Sequence, residues 1–346
     1  MNTEKIITIY DIAERLKLAP STISRGLQDN PAVNPKTRKK IFDTANEMGY
    51  RFNTFARNLR NQKTNTIGVI VPRLNSLFIS AILAGIEKEL NSANYNMLIS
   101  QSLELEENEI KYAKTMLHNR VDGLIVNLAA NTSSLDHFAE YIRHRIPLLF
   151  VDRVIENDDF NTVVINNTKA GYEVTSHLIA QGCTKIAHLT GSLMRNVYQD
   201  RKAGYQSALA EHGIPYDESL VFETDLTEES SIRAAREIIK MKTRPDALFV
   251  ANDLSAVICM KVFKDAGLTI PGDIAIAGFN NDVISRISEP MLTTVNYPGE
   301  EMGKIAARHL VTQIKGEADA ALANTVILKS QLVVRASTLK NKTDDQ

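Results

Sequence analysis

The sequence predicts an α/β protein with a small helical head and a much larger domain of two doubly wound parallel sheets. Three observations lead to this prediction. Short amphipathic helical patterns fill the first 50 residues, a basic polar segment follows them, and short apolar runs alternate with helical stretches from residue 66 onward. The predicted boundaries are 1–50 for the head, 51–65 for a hinge or linker, 66–338 for the large domain and 339–346 for a polar tail.

The first predicted helix spans about Ile9 to Lys17. Thr8 and Asp11 stand at the spacing of a capping box, and apolar residues recur behind them at helical intervals. A three-residue turn, Leu-Ala-Pro, follows, and Pro20 suits the first position of a second helix. Two helices separated by so short a turn are typical of helix-turn-helix architecture.

The second helix, from Pro20 to Leu27, has the sequence PSTISRGL, which is unusually rich in hydroxyls. Serine and threonine hold a helix poorly because their hydroxyls compete for backbone hydrogen bonds. Ile23 and Leu27 lie on one face, which leaves the polar side chains to point elsewhere. A third helix is predicted to begin at Asn34, its N-cap, and to end at Gly49. The polar residues left on the second helix are Ser21, Thr22, Ser24 and Arg25.

These polar residues favour contact with DNA. In helix-turn-helix proteins the second helix enters the major groove, where hydroxyls can bond base edges and phosphates. Arg25 can donate two parallel hydrogen bonds to the O6 and N7 atoms of guanine. The weak helix propensity of the segment is explained if its residues are selected for contact rather than packing.

Charge agrees with a nucleic-acid partner. Residues 1–63 carry 12 lysines and arginines against 6 aspartates and glutamates, an excess of +6. Residues 64–346 carry 28 against 35, a balance of −7, so the two regions sum to −1. A basic module on an acidic protein indicates an anionic partner, although a solvated surface has the same composition.

Composition narrows the class and the location. A chain of 346 residues with 44% hydrophobic content can bury a large core. Charged residues interrupt the first twenty positions and no apolar run reaches the length of a membrane span, so we expect a cytoplasmic protein without a membrane partner. Cys183 and Cys259 support neither a disulfide framework nor a four-ligand zinc site, and we expect no metal and no cofactor.

Several runs of the sequence resemble the lactose-repressor (LacI/GalR) family of bacterial transcription regulators. They are TIYDIAERLKLAPSTISRGL, NPAVNPKTRKKI, MGYRFNTFARNLR and TNTIGVIVP in the first 72 residues, and RASTL near residue 338. The resemblance implies a sequence-specific DNA-binding regulator, most often a repressor, with base-contacting positions at Pro20, Ser21 and Arg25. The full set of DNA-binding residues that we predict is Thr8, Tyr10, Pro20, Ser21, Thr22, Ser24, Arg25, Asn34, Asn53, Ala56, Arg57 and Leu59.

The segment RFNTFARNLRNQKT after the head is too short and polar for a core of its own. By resemblance it is a hinge that becomes helical on operator DNA, where Leu59 and its twin in a dimer wedge between central base steps from the minor groove. The simpler alternative is an interdomain linker with one stray leucine.

The large domain is predicted from eight apolar runs that alternate with helices: TIGVIVP, YNMLISQ, DGLIVNL, PLLFVDR, TVVINN, KIAHLTG, ALFVAND and IAIAGFN. The resemblance implies the periplasmic-binding-protein type I fold, with chain crossings near Asn166, Thr294 and Leu328. The implied N-subdomain comprises about 66–165 and 295–327, and the implied C-subdomain about 166–293 and 328–338.

A small-molecule effector is expected beyond the carboxyl ends of these strands, because ligands of doubly wound sheets bind there. Carboxylate, amide and guanidinium groups suit adjacent hydroxyls, and Phe78 can cover an apolar ring face. An aspartate at a strand end also commonly caps the next helix. By resemblance Phe78, Asp152, Arg201, Asn252 and Asn280 fall on effector-contacting positions. The full set of predicted effector residues is Leu77, Phe78, Asn127, Asp152, Arg201, Asn252 and Asn280.

We expect a sugar or sugar derivative as the effector. A purine calls for more than one stacking ring, and the residue beside Phe78 is Leu77 rather than an aromatic. Asn280 stands where many sugar-responsive relatives have an aspartate, which removes a negative charge and favours an acidic sugar near Arg201. A purine-responsive, corepressor-dependent regulator is the alternative within the family.

Two other classes of protein were weighed. The sequence has no GxGxxG after the first strand and no GxxxxGK[ST], and its seven histidines fall in no metal spacing, so we do not expect an enzyme. A solute-binding protein of a transport or sensing system shares the fold but has no use for a DNA-binding head. We expect a homodimer on a pseudo-palindromic operator, and the tail LKNKTDDQ lacks the leucine heptads of a tetramerising coiled coil.

The hinge hypothesis predicts the effect of one substitution. Leu59→Ala is expected to weaken binding to the specific operator while barely changing binding to non-specific DNA, because only the specific complex is bent by the wedge. Gel shifts with circularly permuted operator fragments measure that bend. An unchanged bend angle in the variant would contradict the wedge.

Overall fold

The computed structural model describes residues 7–50, 63–155, 160–317 and 324–340, and the chain forms two compact units, Met1–Gln62 and Lys63–Gln346. The first unit contains helices α1 (Ile9–Leu16), α2 (Pro20–Leu27) and α3 (Pro35–Glu47). The three predicted helices are confirmed. Helix α1 ends at Leu16, one residue before the predicted end, because Lys17 adopts a left-handed backbone with φ of 54°.

Local signals act at the helix ends as predicted. The Thr8 hydroxyl accepts a hydrogen bond from the Asp11 amide, and the Asp11 carboxylate accepts one from the Thr8 amide, which completes the capping box. The Asn34 side chain accepts from the Lys36 amide at 2.9 Å and caps α3. Ala19 provides no side-chain cap for α2, as its methyl group requires.

The core of the head is made where the three helices meet. Ile12, Ile23 and Ile41, one from each helix, are fully buried. A Cβ atom on Gly26 would overlap the Cδ1 atom of Ile41. The glycine of PSTISRGL therefore lets α2 approach α3 closely.

The second unit contains twelve strands within the described ranges. They form a six-stranded sheet in the order β11-β5-β4-β3-β1-β2, a four-stranded sheet in the order β7-β6-β8-β9, both with parallel pairing throughout, and an antiparallel pair of β10 with β12. The strands are β1 (Thr66–Val71), β2 (Asn96–Gln101), β3 (Gly123–Val126), β4 (Leu148–Val151), β5 (Asn161–Ile165), β6 (Ile186–Thr190), β7 (Val221–Glu223), β8 (Ala247–Val250), β9 (Ala275–Ala277), β10 (Thr294–Asn296), β11 (Thr325–Leu328) and β12 (Gln331–Val333).

All eight predicted strands are present. The other four, β7, β10, β11 and β12, are only three or four residues long, and three of them carry no fully buried residue. Length alone does not separate them from the predicted strands, since β9 (Ala275–Ala277) is also three residues long, but every residue of β9 is buried and its apolar pattern is continuous. These short strands matter because β10 and β12 lie where the chain leaves one parallel sheet for the other.

Helices cover both faces of the six-stranded sheet. The helices of the second unit are α4 (Leu77–Ser92), α5 (Glu106–His118), α6 (Ala139–Arg143), α7 (Asn167–Ala180), α8 (Asn196–Glu211), α9 (Glu228–Lys240), α10 (Asp253–Asp265), α11 (Ile284–Ile287) and α12 (Gly299–Lys315), with 3₁₀ turns at Asp136–Phe138 and Glu218–Leu220. Strand residue Val69 packs in the cluster of α4 and α12, whereas its neighbour Ile70 packs in the cluster of α5. This alternation is that of a doubly wound sheet, so the predicted fold class is confirmed.

Glycines join two helix pairs at van der Waals distance. Gly85 and Gly303 lie between α4 and α12, and Gly171 and Gly204 lie between α7 and α8. A Cβ atom on any of the four would overlap a carbonyl oxygen of the facing helix. Gly171 faces the backbone of Arg201, so its missing side chain determines where that arginine lies.

The chain changes sheets after β5, at β10 and between β11 and β12. The limits of the two subdomains given in the sequence analysis remain a prediction. No helix in the described ranges has both the length and the apolar character needed to cross a membrane.

Candidate functional site

A cavity of about 400 Å³ lies beyond the carboxyl ends of strands from both parallel sheets. Its walls include residues that follow β1, β4, β8 and β9, together with residues of α8. Six of the seven predicted effector residues line this cavity, namely Leu77, Phe78, Asp152, Arg201, Asn252 and Asn280.

Asn127 is the exception, since it does not line the cavity. It is fully buried, and its Nδ2 atom donates a hydrogen bond to Oδ2 of Asp152 at 3.0 Å. The two residues follow neighbouring strands, β3 and β4, so the amide lies behind the carboxylate. Asn127 therefore orients Asp152 rather than facing a ligand.

Asp152 is held tightly from two sides. Its backbone is left-handed, with φ of 66°, a conformation that aspartate tolerates better than most residues. The Tyr297 hydroxyl donates a short hydrogen bond to Oδ1, while Asn127 donates to Oδ2. Since Asp152 is only 4% exposed, both carboxylate oxygens are engaged within the protein.

Arg201 is a buried cation whose hydrogen bonds are incomplete. It is 3% exposed, its Nε atom donates to Asn167 Oδ1 at 2.9 Å, and its Nη1 atom donates to the Ala251 carbonyl at 3.0 Å. The guanidinium carbon lies 3.6 Å from the centroid of the Phe279 ring. Within the part of the chain that the structure describes, neither a carboxylate ion pair to Arg201 nor a hydrogen bond from its Nη2 atom is found.

Electrostatics at Arg201 follow from this environment. Burial lowers the pKa of the guanidinium, and Tyr297, Tyr198 and the Asp152 carboxylate partly offset that effect, although Asp152 forms no direct ion pair with Arg201. A buried arginine without a carboxylate partner at a cavity wall is suited to a ligand oxygen.

Two asparagines at strand ends have mixed roles. Asn252 lines the cavity, but its Oδ1 atom also accepts from the Ser255 amide at 2.7 Å and caps α10. Only its Nδ2 atom remains to donate toward a ligand. Asn280 has φ of 116° and its Nδ2 atom lies 3.4 Å from Oδ2 of Asp282.

A second polar group in the wall was missed by sequence reasoning. Glu104 accepts from Arg153 Nη1 at 2.6 Å, and Arg73 Nε lies 3.7 Å from its other oxygen. Burial alone would lower the pKa of Arg153, but Tyr198 and Glu104 raise it overall. The sequence did not indicate Glu104, because it lies in a left-handed turn after β2 and the residues around it show no apolar pattern that would mark a strand end.

Aromatic residues were also missed. Tyr198 and Tyr297 line the cavity together with Phe78. Tyr198 stands three residues before Arg201 on α8, a spacing that places both on one helix face and was the available signal. The cavity wall therefore contains three aromatic rings. The expectation that Phe78 is the single ring of the site, which disfavoured a purine, is wrong.

The candidate DNA-contacting surface lies on the head. Ser21 and Arg25 of α2 are exposed, Pro20, Thr22 and Ser24 are half-buried, and Ile23, Gly26 and Leu27 are buried. Tyr10 is 69% exposed on α1. The polar face predicted for α2 is thus free of the core. The predicted hinge residues Asn53, Ala56, Arg57 and Leu59 lie outside the described residues.

Comparison with known proteins identifies the class. The family model for "Bacterial regulatory proteins, lacI family" matches residues 8–53, and the family model for "Periplasmic binding protein-like domain" matches residues 175–338. Catabolite control protein A of Priestia megaterium is 32% identical over 312 residues, which cover 90% of this chain and 93% of that protein. The chain therefore belongs to the LacI family of bacterial transcription regulators, and it is a DNA-binding regulator of that type.

Solved structures agree with this assignment. The lac repressor dimer bound to operator and the anti-inducer ONPF has a TM-score of 0.86 at 26% identity, covering 97% of this chain and 100% of that chain. The complex of the transcriptional regulator CelR with cellobiose has a TM-score of 0.73 at 26% identity, covering 96% and 99%. Regulators of this family bind operator DNA as dimers and respond to small-molecule effectors such as sugars. The predicted resemblance, fold and partners are confirmed.

A buried carboxyl lies next to the cavity wall. Asp253 is fully buried and accepts from the Thr294 hydroxyl at 2.6 Å and from the Asp282 amide at 2.7 Å. Burial raises the pKa of Asp253 to about 7, and the nearby Asp282 carboxylate adds to the increase. The protonated form is therefore favoured by folding.

This pKa predicts a pH-dependent stability. Because the folded pKa lies above the unfolded value, the contribution of Asp253 is fully present below about pH 4 and is lost as the pH rises through about 7. The melting temperature of the parent is expected to fall between pH 5 and pH 8 by more than that of Asp253→Asn. Asp265→Asn, at the exposed far end of α10, is the control and keeps the parental pH dependence. Equal pH dependence in Asp253→Asn and the parent would show that Asp253 is already ionised.

Proposed function

We propose that this regulator is a dimeric repressor whose operator binding is controlled by a sugar or sugar derivative in the cavity. The observation that carries the proposal is Arg201, a buried cation at the cavity wall whose Nη2 atom has no hydrogen bond within the described residues. A ligand oxygen would complete its hydrogen bonding. We also place the protein in the cytoplasm and assign it no catalytic activity.

The ligand class follows from what the walls offer. The Nη2 atom of Arg201 and the Nδ2 atom of Asn252 are donors, which suit ligand acceptors, and aromatic rings suit the apolar faces of a sugar. An acidic sugar fits best, because its carboxylate or phosphate would meet Arg201 with a charge-assisted hydrogen bond. The solved complex of the related CelR regulator contains cellobiose, a sugar.

Control of DNA binding requires two states of the large domain. An effector that binds one arrangement of the subdomains better than the other shifts the population toward it, and so changes the separation of the two hinges and heads in the dimer. On the operator, α2 of each head lies in the major groove, with Ser21 and Arg25 toward the bases. The sign of the response, induction or corepression, depends on which arrangement the ligand prefers.

A purine effector is the second candidate. Tyr198 joins Phe78 and Tyr297 in the cavity wall, and because Phe78 and Tyr297 stack on each other, Tyr198 is the ring that a nucleobase could stack on. A thermal-shift screen against neutral sugars, acidic sugars and nucleobases separates the candidates, since a ligand that binds only the folded state raises the melting temperature. Stabilisation by nucleobases alone would overturn the sugar proposal.

The proposed function makes two predictions, and one of them concerns binding to the operator. Arg25→Ala is expected to weaken specific binding by roughly 1–3 kcal/mol and to relax the preference at one base pair per half-site. The control is Lys40→Ala, which removes the same charge from an exposed position on α3. Competition binding with a library of single-base operator variants measures both effects. If Arg25→Ala lost affinity equally for every sequence, Arg25 would be a phosphate contact.

The second prediction concerns the effector. Arg201→Ala is expected to abolish the response to the sugar found in the screen while operator binding persists, because the ligand loses its charge-assisted partner. Lys202→Ala is the matched control, since Lys202 is the next residue of α8 but pairs with Glu218 at 3.0 Å outside the cavity. Isothermal titration of the folded variants decides the matter. Parental affinity in Arg201→Ala would refute the assigned contact.

A further inference from the structure

Tyr297 is an almost fully buried tyrosine in the cavity wall. It follows β10, is 4% exposed, and its ring stacks on Phe78 with centroids 4.2 Å apart and planes inclined by 28°. The edge of the neighbouring Phe279 ring packs against it, with centroids 5.6 Å apart and an interplanar angle of 85°. Aromatic groups thus hold the tyrosine ring from two directions.

The hydroxyl of Tyr297 is also held by a hydrogen bond within the protein. It donates to Oδ1 of Asp152, whose other oxygen accepts from Asn127. Burial raises the pKa of Tyr297 well above its ordinary value, and the Asp152 carboxylate raises it further, so the phenol remains a donor. The guanidinium carbon of Arg201 lies 5.4 Å from the centroid of the same ring.

This environment is the one that a sugar ring requires. A six-membered ring covered by Phe78, with one hydroxyl bonded to Asp152 and with Arg201 beside it, describes a bound monosaccharide as well as it describes Tyr297. We propose that Tyr297 is an internal substitute for one sugar ring. It fills the subsite formed by Phe78, Asp152 and Arg201, and the effector binds in the remaining cavity outside it. The inference rests on the proposed sugar-responsive function.

Displacement of Tyr297 by a free sugar is unfavourable. A ligand would have to replace the aromatic contacts and the charge-assisted hydrogen bond to Asp152 at the same time. It would also have to enter a site where the carboxylate is almost completely covered. In this subsite a neutral monosaccharide therefore finds neither an open ring platform nor a free carboxylate.

The effector is selected by the groups that remain available. Those nearest the filled subsite include the Tyr198 ring, the Nη2 atom of Arg201 and the Nδ2 atom of Asn252, and the outer wall adds charged side chains such as Asp225 and Glu228. The Tyr198 ring packs directly against Gly191, where a Cβ atom would overlap it. Its hydroxyl accepts a hydrogen bond from Arg153 Nη2 at 3.2 Å, and these two contacts fix its position. A ligand in this outer space must present acceptors to two donors and an apolar face to one ring. A sugar carrying a carboxylate or phosphate does both and gains a charge-assisted hydrogen bond to Arg201, whereas the hydroxyl oxygens of a neutral monosaccharide accept only ordinary, weaker hydrogen bonds.

A gain of binding tests the inference. The full-length parent and Tyr297→Ala are titrated by calorimetry with D-glucose, D-galactose and D-ribose, and with D-glucuronate and D-glucose 6-phosphate as acidic probes. The parent is expected to give no measurable heat with the neutral sugars. Tyr297→Ala is expected to bind at least one of them with an affinity about tenfold or more above the parent's detection limit, because a ring platform and a charge-assisted acceptor become free.

Three further variants make the gain specific. Tyr297→Phe retains the ring and is expected to show no gain, and Tyr198→Ala enlarges the cavity elsewhere and is expected to show none either. The double variant Tyr297→Ala with Asp152→Asn is expected to lose the gain. Each variant is first checked by its melting curve, and Tyr297→Gln takes the place of Tyr297→Ala if the alanine variant does not fold.

The outcomes separate the inference from the proposed function. If the parent binds a neutral monosaccharide as tightly as Tyr297→Ala does, or if the parent binds an acidic sugar while Tyr297→Ala gains no neutral one, the subsite is not filled by Tyr297 and the inference is wrong. If neither protein binds any neutral or acidic sugar, the sugar-responsive function itself fails, and the inference fails with it. A gain that depends on Asp152 supports both.

Discussion

The hydrogen bond between the Tyr297 hydroxyl and the buried Asp152 carboxylate is the interaction on which the effector cavity depends. It joins the end of β4 in the six-stranded sheet to the segment after β10, where the chain has returned from the other sheet. A buried carboxylate without donors is costly, so the surroundings must supply them. Asn127 and Tyr297 do so, and the left-handed backbone of Asp152 aims the carboxylate toward both.

The burial of Arg201 is the second costly feature, and it is also the most informative about function. A guanidinium that leaves water without gaining a carboxylate reduces stability. The protein offsets part of this cost with the Phe279 ring and with two hydrogen bonds, and it brings α7 close through Gly171 to hold the arginine backbone. Such an arrangement is typical of binding sites, where a perturbed group is kept for its ligand.

The head follows a different logic, because it is built from local signals. Its helices α1 and α3 begin directly after their caps Thr8 and Asn34, and α2 begins at Pro20, for reasons that lie within three residues of each position. Its small core of Ile12, Ile23 and Ile41 leaves the hydroxyl-rich face of α2 free. A rigid scaffold thus presents side chains that contribute little to folding and are available for DNA.

The sequence by itself determined the fold class, the limits of α2 and eight of the strands, because capping residues and apolar periodicity are local properties, and its motifs indicated the family by resemblance. Strand ends gather at one edge of a parallel sheet, which indicated Asp152, Asn252 and Asn280, and the family resemblance added Phe78 and Arg201; all five line the cavity. Only the tertiary structure decided how these groups are used. In the folded protein Asn127 lies behind Asp152 and donates a hydrogen bond to it. Tyr198 and Glu104 line the cavity, and Tyr297 donates to the carboxylate of Asp152, 145 positions away in the chain. The physical reason is that such contacts depend on how two sheets and their short connecting strands pack together, and neither β10 (TVN) nor β12 (QLV) contains a continuous apolar run that would mark it in the sequence.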